Sequence, residues 1–374
     1  MAHIQKRNGR WHARRRETNG REKAVVFDRK ADAERWLDNV RGDLVRGTYV
    51  DPGAGREVFQ EVAERWLSIQ VHRPTTAAQV RSNFDNHVLP AFGDRPIGTI
   101  RPSEVQAWVW DLTSRLAPGT VEVIYRYLAA VFRAAVEDRV IAVSPCRGVK
   151  LPKIERIRIQ PLTTEEIAAL TAAVDDRYRA LVILAAGTGL RQGEVFGLTV
   201  PSLDLLRRQL VVEQQLITLQ GRAPYLAPPK TPASVRQVPL PLTVVDALAV
   251  HLAEFDTGVL GTVFSTETGE PLRRNRFSER VWRPAVAKAR LRPGTRFHEL
   301  RHYYASLLIR HGESVKTVQA RLGHASASET LDTYAHLWPD SEDRTRDAVD
   351  SALGPAVWPR SGEESSGQKS RSEA

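Results

Sequence analysis

Between Tyr178 and Ala186 the chain reads YRALVILAA, a stretch that is apolar on nearly every side. A helix of that composition is buried all round, so it must lie inside a domain that surrounds it. Its apolar run, Ala180 to Ala186, is far too short to span a bilayer. The segment runs directly into Gly187-Thr188-Gly189-Leu190-Arg191-Gln192-Gly193-Glu194. Glycines on either side of Thr188 allow a tight turn that sets the direction of the next segment. Glu194, three residues after Arg191, is placed to hold its guanidinium. No G-K-[ST] and no G-x-G-x-x-G accompanies the glycines, which argues against a nucleotide loop.

A second stretch, Phe297 to Leu337, carries His298, Arg301, His324 and Tyr334. Its opening supports two readings. His298-Glu299-Leu300-Arg301-His302 is a literal H-E-x-x-H, in which both histidines could ligate zinc and Glu299 act as general base. That pattern is short, and a zinc protease needs a third ligand and a cleft besides. In the other reading His298 and Arg301, three apart on one helical face, meet a phosphate. Leu322-Gly323-His324 and then Tyr334 come next, and a tyrosine surrounded by cations is a covalent nucleophile for phosphorus.

The rest of the chain, 374 residues with a net charge of +10, is long enough for two or three domains. The single Cys146 excludes internal disulfides and a cysteine-built zinc cage, and fits a reducing cytoplasm. The N-terminus is basic and has no apolar core, so it does not read as a secretory signal. Residues 1–30 hold ten Lys or Arg against three acids. Asn8-Gly9 and Asn19-Gly20 separate three short runs and predict a three-stranded antiparallel sheet. A helix capped by Asp28 comes after them, with Trp36, Leu37, Val40 and Leu44 on its apolar stripe. The charge, Arg14, Arg15 and Arg16 included, suits strands lying on DNA; the plainer reading is a solvated polar sheet face.

Residues 57–148 read as four helices. The first carries Val58, Phe59, Val62, Trp66, Leu67 and Ile69; the second runs from about Thr76 to Leu89, and Pro90-Ala91-Phe92-Gly93 ends it; the others open at Pro102 and Pro118. Beyond the basic linker Val149–Lys153, Thr163-Thr164-Glu165-Glu166 is a capping-box helix start. A strand is expected over Leu210–Leu219, with Arg236–Leu240 returning, and Ala227-Pro228-Pro229-Lys230-Thr231 lies between them. Taken alone, Lys230 is a surface lysine. Arg273, Arg274 and Arg276 form a further basic cluster for DNA backbone. The polar tail over 346–374 reads as disordered.

Collected, T-G-L-R-x-x-E at 188–194, P-K-T at 229–231, H-x-L-R-H at 298–302, L-G-H at 322–324 and Tyr334 before Ala335-His336 resemble the signature of the tyrosine recombinase family, the lambda-type phage integrases. The likeness is specific across roughly the C-terminal half. His87 to Gly93, with Ile97, Ile100 and Pro102, resembles that family's helical core-binding domain. Residues 1–56 resemble its small arm-type DNA-binding domain, mainly in pattern and position.

The resemblance implies a mainly α chain with small β-sheets in three domains: 1–56 arm-binding, 57–148 core-binding and 149–345 a mixed α/β catalytic domain. It implies a catalytic set of Arg191, Lys230, His298, Arg301, His324 and Tyr334, supported by Glu194. The implied chemistry is a 3′-phosphotyrosyl DNA intermediate formed without metal, ATP or any other cofactor. The expected partners are double-stranded attachment sites, a homotetramer on DNA, a DNA-bending host factor and an excision factor, with no membrane. The expected setting is a bacterial cytoplasm, at the nucleoid. A chromosome-dimer resolvase or transposon recombinase of the same family, a type IB topoisomerase-like relaxase and a catalytically dead DNA-binding protein remain alternatives. The zinc protease is a distant one, since it leaves Arg191, Lys230, His324 and Tyr334 unexplained.

Overall fold

A computed structural model describes residues 2–16, 22–45, 49, 53–155, 158–338 and 342–357. The chain divides into two compact units, Met1–Arg156 and Ile157–Ala374. Among the described residues no helix is long and apolar enough to cross a membrane.

The first unit opens with β1 (Ala2–Arg7), β2 (Arg10–Arg16) and β3 (Glu22–Phe27), an antiparallel sheet in that order. Asn8 and Gly9 take φ of 50° and 81°, the left-handed pair that a two-residue hairpin demands. The Asn19-Gly20 turn lies outside the described residues. The strands on either side of it pair from Trp11↔Phe27 to Arg16↔Glu22. α1 (Lys30–Val45) buries Ala33 and Leu37 against Ala13 of the sheet.

The helical part holds α2 (Phe59–Ser68), α3 (Pro74–Asn83), α4 (Leu89–Phe92), α5 (Pro102–Thr113) and α6 (Pro118–Glu137). Proline opens α3, α5 and α6 at a position where its missing N–H costs nothing. Their apolar faces meet around Phe59, Phe84, Phe92, Leu128 and Phe132. Two expectations are corrected. The second helix runs past Leu89: a π-helical turn, Phe84–Val88, carries it through Pro90 to Phe92, where Gly93 caps it. The wider turn accommodates the ring and the lost hydrogen bond. Ile69, expected within the first helix, sits just past the end of α2 and is 74% exposed.

The second unit is built on α8 (Asp176–Thr188), whose Leu181, Val182, Leu184 and Ala185 are buried. It packs against α7 (Thr164–Ala173), α10 (Leu242–Glu254) and α13 (Glu299–Arg310). Thr163 and Glu166 form the expected capping box. Gly187 belongs to α8 rather than to a loop; a Cβ there would lie 2.5 Å from Val244 Cγ2 on α10. After α9 (Gln192–Phe196) come β4 (Leu203–Asp204), β5 (Gln209–Val212), β6 (Gln215–Ile217), β7 (Tyr225–Ala227) and β8 (Arg236–Pro239).

The single strand expected over 210–219 is therefore two. β5 sits between β4 and β8, while β6 pairs with β7. Gln214 breaks the run by turning its amide onto Gly197 O (3.2 Å) and Thr199 Oγ1 (2.9 Å). β6 then lies so close to Gly197 that a Cβ there would be 2.5 Å from Leu216 N.

The remaining helices are α11 (Arg274–Phe277), α12 (Arg283–Lys288), α14 (Val315–Leu322), α15 (Ala327–Tyr334) and α16 (Glu342–Val357). α16 corrects the expectation of disorder for 346–357: acids at its start and Ala348, Ala352 and Leu353 within it favour helix despite the polar composition. Residues 361–374 lie outside the described residues.

Candidate active site

Three helix ends build the site. At the first, α8 stops where Gly189 turns to φ 66°. A Cβ at Gly189 would come within 2.4 Å of the Tyr304 ring, so both backbone and packing require glycine. The turn makes Arg191 the residue that precedes α9. Glu194 reaches back from α9 and accepts from the Arg191 backbone N–H (2.9 Å) and from Arg191 Nη1 (3.1 Å). Arg191 also donates to Ser234 Oγ (3.3 Å) and to Gly323 O (3.2 Å).

The second is the C-terminal end of α14. The last carbonyls of a helix lack intrahelical donors and carry the negative end of its dipole. Here three successive carbonyls accept from three arginines: Arg321 O from Arg236 Nε (2.8 Å), Leu322 O from Arg301 Nη2 (2.7 Å) and Gly323 O from Arg191 Nη2 (3.2 Å). Gly323 takes φ 64°, and a Cβ on it would lie 3.0 Å from Arg236 Nη1 and 3.1 Å from Ala233 O. The glycine of L-G-H thus ends the helix and leaves room for the guanidiniums.

Arg301 is 2% exposed and donates its other Nη1 to Gly189 O (2.7 Å), at the end of α8. It is held between two helix C-termini. Burial, with Arg191 nearby, pulls its pKa down to about 9, still above neutrality, so the guanidinium stays charged. Glu194, 4% exposed, also accepts from Arg236 Nη1 (3.2 Å) and Nη2 (2.9 Å). Burial pushes its pKa up, but Arg236 and Arg191 outweigh burial and hold the carboxylate below its ordinary range.

The third is the pairing of α13 with α15. His298 caps α13, and Arg301 and His302 lie in its first turn. Tyr334 ends α15, 1% exposed, with its Oη 2.8 Å from His302 Nδ1. His324 is buried; its Nδ1 lies 2.8 Å from Thr330 Oγ1, and its ring lies within 10° of parallel to that of Tyr334, centroids 6.5 Å apart. Desolvation, then neighbouring cations and rings, lowers the pKa of His302 and His298 to about 4 and of His324 to about 3. His298 is itself exposed to solvent. Burial raises Tyr334 to about 12. At neutral pH the phenol is protonated and the imidazoles are neutral, so the 3.8 Å approach of His324 Nε2 to Glu329 is no ion pair.

Arg191, Glu194, Arg301, His324 and Tyr334 thus come together, with His298 one helical turn from His302. Lys230 does not join them. It is exposed in the loop after β7, without a hydrogen bond or ion pair to the described residues. Its loop is anchored on both sides: Gln215 Nε2 donates to Pro228 O (3.1 Å), and Thr231 Oγ1 lies 2.9 Å from Ser234 Oγ, the group that Arg191 meets. Of the basic residues expected on DNA, Arg274 and Arg276 are exposed on α11, and Arg273 donates to Arg222 O (3.4 Å). Arg14 lies in β2, half-buried; the side chains of Arg15 and Arg16 lie outside the described residues.

Sequence reasoning missed two members. Arg236 reads only as the first residue of a strand, because its partners Glu194 and Arg321 are far off in the chain. His302 reads as a zinc ligand or as the closing letter of H-x-L-R-H, with no catalytic role of its own, although its helical spacing from His298 puts it on the same face. The two rings meet edge to face at 4.7 Å. Among the described residues, no three His, Cys, Asp or Glu side chains gather as metal ligands would.

Residues 160–340 match the family model described as phage integrase family, and 59–152 that of the phage integrase central domain. The prophage phiRv2 integrase of Mycobacterium tuberculosis is 30% identical over 339 residues, 88% of this chain and 89% of its own length. The chain belongs to the phage integrase family. It is a tyrosine-type site-specific DNA recombinase. A tyrosine recombinase of Caldanaerobacter subterraneus described as XerC-like is 28% identical, over 83% of this integrase and 85% of its own length. The fold is shared with the Tn1549 transposon integrase bound to transposon right end DNA (TM-score 0.68, 23% identity, 79% of this chain and 99% of that one). It is shared also with a lambda integrase tetramer on a Holliday junction (TM-score 0.58, 19% identity, 87% and 96%).

Proposed function

We propose that this recombinase integrates a phage or other mobile element, and with helpers excises it, by transesterification at Tyr334. The observation that carries the reading is the α14 terminus: it gathers Arg191 and Arg301 on adjacent carbonyls, and α15 leads from it back to a buried Tyr334. Oη attacks the scissile phosphorus, the 5′ oxygen leaves, and a 3′-phosphotyrosyl link keeps the ester energy for the second strand. Two fixed guanidiniums stabilise the charge that builds on the non-bridging oxygens. Glu194 positions Arg191. His298 and His324 bond the phosphate or move protons, and Lys230 protonates the leaving oxygen once DNA orders its loop.

The three-part division, 1–56 on arm sites, 57–148 on core sites and 149–345 in catalysis, belongs to the same proposal, as does a homotetramer on two duplexes. Arg14, Arg15, Arg16, Arg273, Arg274 and Arg276 serve as backbone contacts. The strongly basic first sheet favours an integrase over a chromosome-dimer resolvase, which has no need of arm sites. The test is covalent capture: full-length protein with nicked duplexes from the element's flanking DNA, in EDTA, beside a Tyr334→Phe control. An adduct that requires Tyr334 is expected. An adduct that survives in the control, or cleavage that EDTA abolishes, overturns the mechanism. Loss of recombination between arm-bearing sites on deleting residues 1–56 is expected of an integrase and not of a resolvase.

A further inference from the structure

We propose that His302 is the catalytic base for Tyr334, its Nδ1 receiving the phenolic proton as Oη bonds to phosphorus. This rests on the reading of Tyr334 as the nucleophile. The Oη–P bond forms, the P–O5′ bond breaks, the Oη proton passes to His302 Nδ1, and an acid of the site supplies a proton to O5′. In the return step the 5′-hydroxyl of the incoming strand attacks phosphorus, Oη departs, and His302 returns the proton to it.

The geometry selects His302 by contact and by what it denies the alternatives. Tyr334 Oη lies 2.8 Å from His302 Nδ1, and among the described residues it makes no other hydrogen bond. His324 has its Nδ1 on Thr330 Oγ1. Arg301 is a cation whose two Nη groups already donate to Gly189 and Leu322 carbonyls. His298 touches the His302 ring rather than the phenol. Lys230 is exposed in its loop.

Position adds to contact. His302 directly succeeds Arg301 in the first turn of α13, so the base and the pinned guanidinium are set by the same piece of backbone. A base must lie within about 3 Å of the proton it takes, in its unprotonated form. Burial and the neighbouring His298 and Arg301 keep the imidazole neutral at neutral pH, so that form is present; the same shift lowers its basicity, so contact and not basicity carries the assignment. With Nε2 carrying the ring proton, Nδ1 is the acceptor and the phenol donates to it.

The experiment uses the full chain and a nicked duplex carrying its crossover site, with sulfur replacing the bridging 5′ oxygen of the scissile phosphodiester. Sulfur leaves without a proton, so a defect in protonating the leaving group is relieved there and a defect in deprotonating the nucleophile is not. His302→Asn keeps a polar partner for the phenol but cannot take its proton; His302→Ala leaves space for free imidazole. Both are expected to slow adduct formation by roughly 10²-fold or more on oxygen and sulfur duplexes alike, the scale of general-base catalysis. DNA affinity should be unchanged, and imidazole should restore part of the His302→Ala rate. Wild-type rates in His302→Asn would show that His302 only docks the phenol and would overturn the proposal. So would a deficit that vanishes on the sulfur duplex, which would place His302 at the leaving group. An adduct in Tyr334→Phe would instead remove the nucleophile, and the base assignment with it.

Discussion

Arg301 and Lys230 are cations of one proposed site held in opposite ways. Arg301 is 2% exposed, with each Nη on the closing carbonyl of a helix. Lys230 is exposed, in a loop whose backbone is tethered, and its side chain makes no hydrogen bond or ion pair to a described residue. Burying a guanidinium is costly unless its donors are met, and here the ends of α8 and α14 meet them with dipoles aligned to favour a cation. That expense is met once, by folding, so the charge is in place before DNA arrives, which is where preorganised electrostatics gain most. The lysine keeps its rotamer freedom, about 2 kcal/mol of it, until a substrate orders it. In the proposed mechanism the residue that stabilises charge is built into the core, and the one that hands a proton to the departing group is left able to move.

The sharpest way to break this contrast is Arg301→Leu. It should abolish adduct formation and also destabilise the fold by on the order of 3 kcal/mol, because the Gly189 and Leu322 carbonyls lose their donors. Chemical denaturation followed by circular dichroism measures this, and a wild-type midpoint would mean that Arg301 is not the keystone described.

Acid should act on the same region, with a smaller effect. His302 and His324 have folded pKa values of about 4 and about 3, below the ordinary 6.5, so the unfolded chain binds protons first as pH falls. Stability is therefore full above about pH 6.5 and declines as pH drops from there towards 4. Glu194, also held low, adds to the loss at the acid end. Urea midpoints at pH 7.5, 6 and 5 should fall in that order; a flat series would mean that the imidazoles titrate freely.

The smallest stability effect belongs to the other side of the contrast. Lys230→Ala should leave the urea midpoint within about 0.5 kcal/mol of wild type, as for an exposed side chain, while slowing cleavage. A large loss of stability would show that the loop is held by its lysine after all.

Much of the fold was legible because its signals are local. The Asn8-Gly9 hairpin, the helices opened by Pro102 and Pro118, the Thr163 capping box and the buried α8 each depend on residues within a few positions of one another. The misreadings occurred where a distant partner overrode the local pattern. The run over 210–219 reads as one strand, but Gln214 is drawn to Gly197 and Thr199, and the strand divides. Pro90-Ala91-Phe92-Gly93 reads as a stop after Leu89, yet packing around Phe84 and Phe92 keeps the helix going through a wider turn.

The site divides in the same way. By itself the sequence nominated the residues of the proposed site, since Arg191, His298, Arg301, His324 and Tyr334 stand in short motifs that resemble the family's signature. It marked a tight turn at the glycines around Thr188 too, and Gly189 does end α8 in a left-handed conformation. Only the tertiary structure decided that Arg236 ties Glu194 to the α14 terminus, that His302 faces the Tyr334 hydroxyl, and that Lys230 stands apart. The physical reason is that the unmet carbonyls at a helix end and a buried hydroxyl accept whichever group packing brings to them. Packing joins Arg191 to Gly323, 132 positions apart, a distance over which periodicity carries no information.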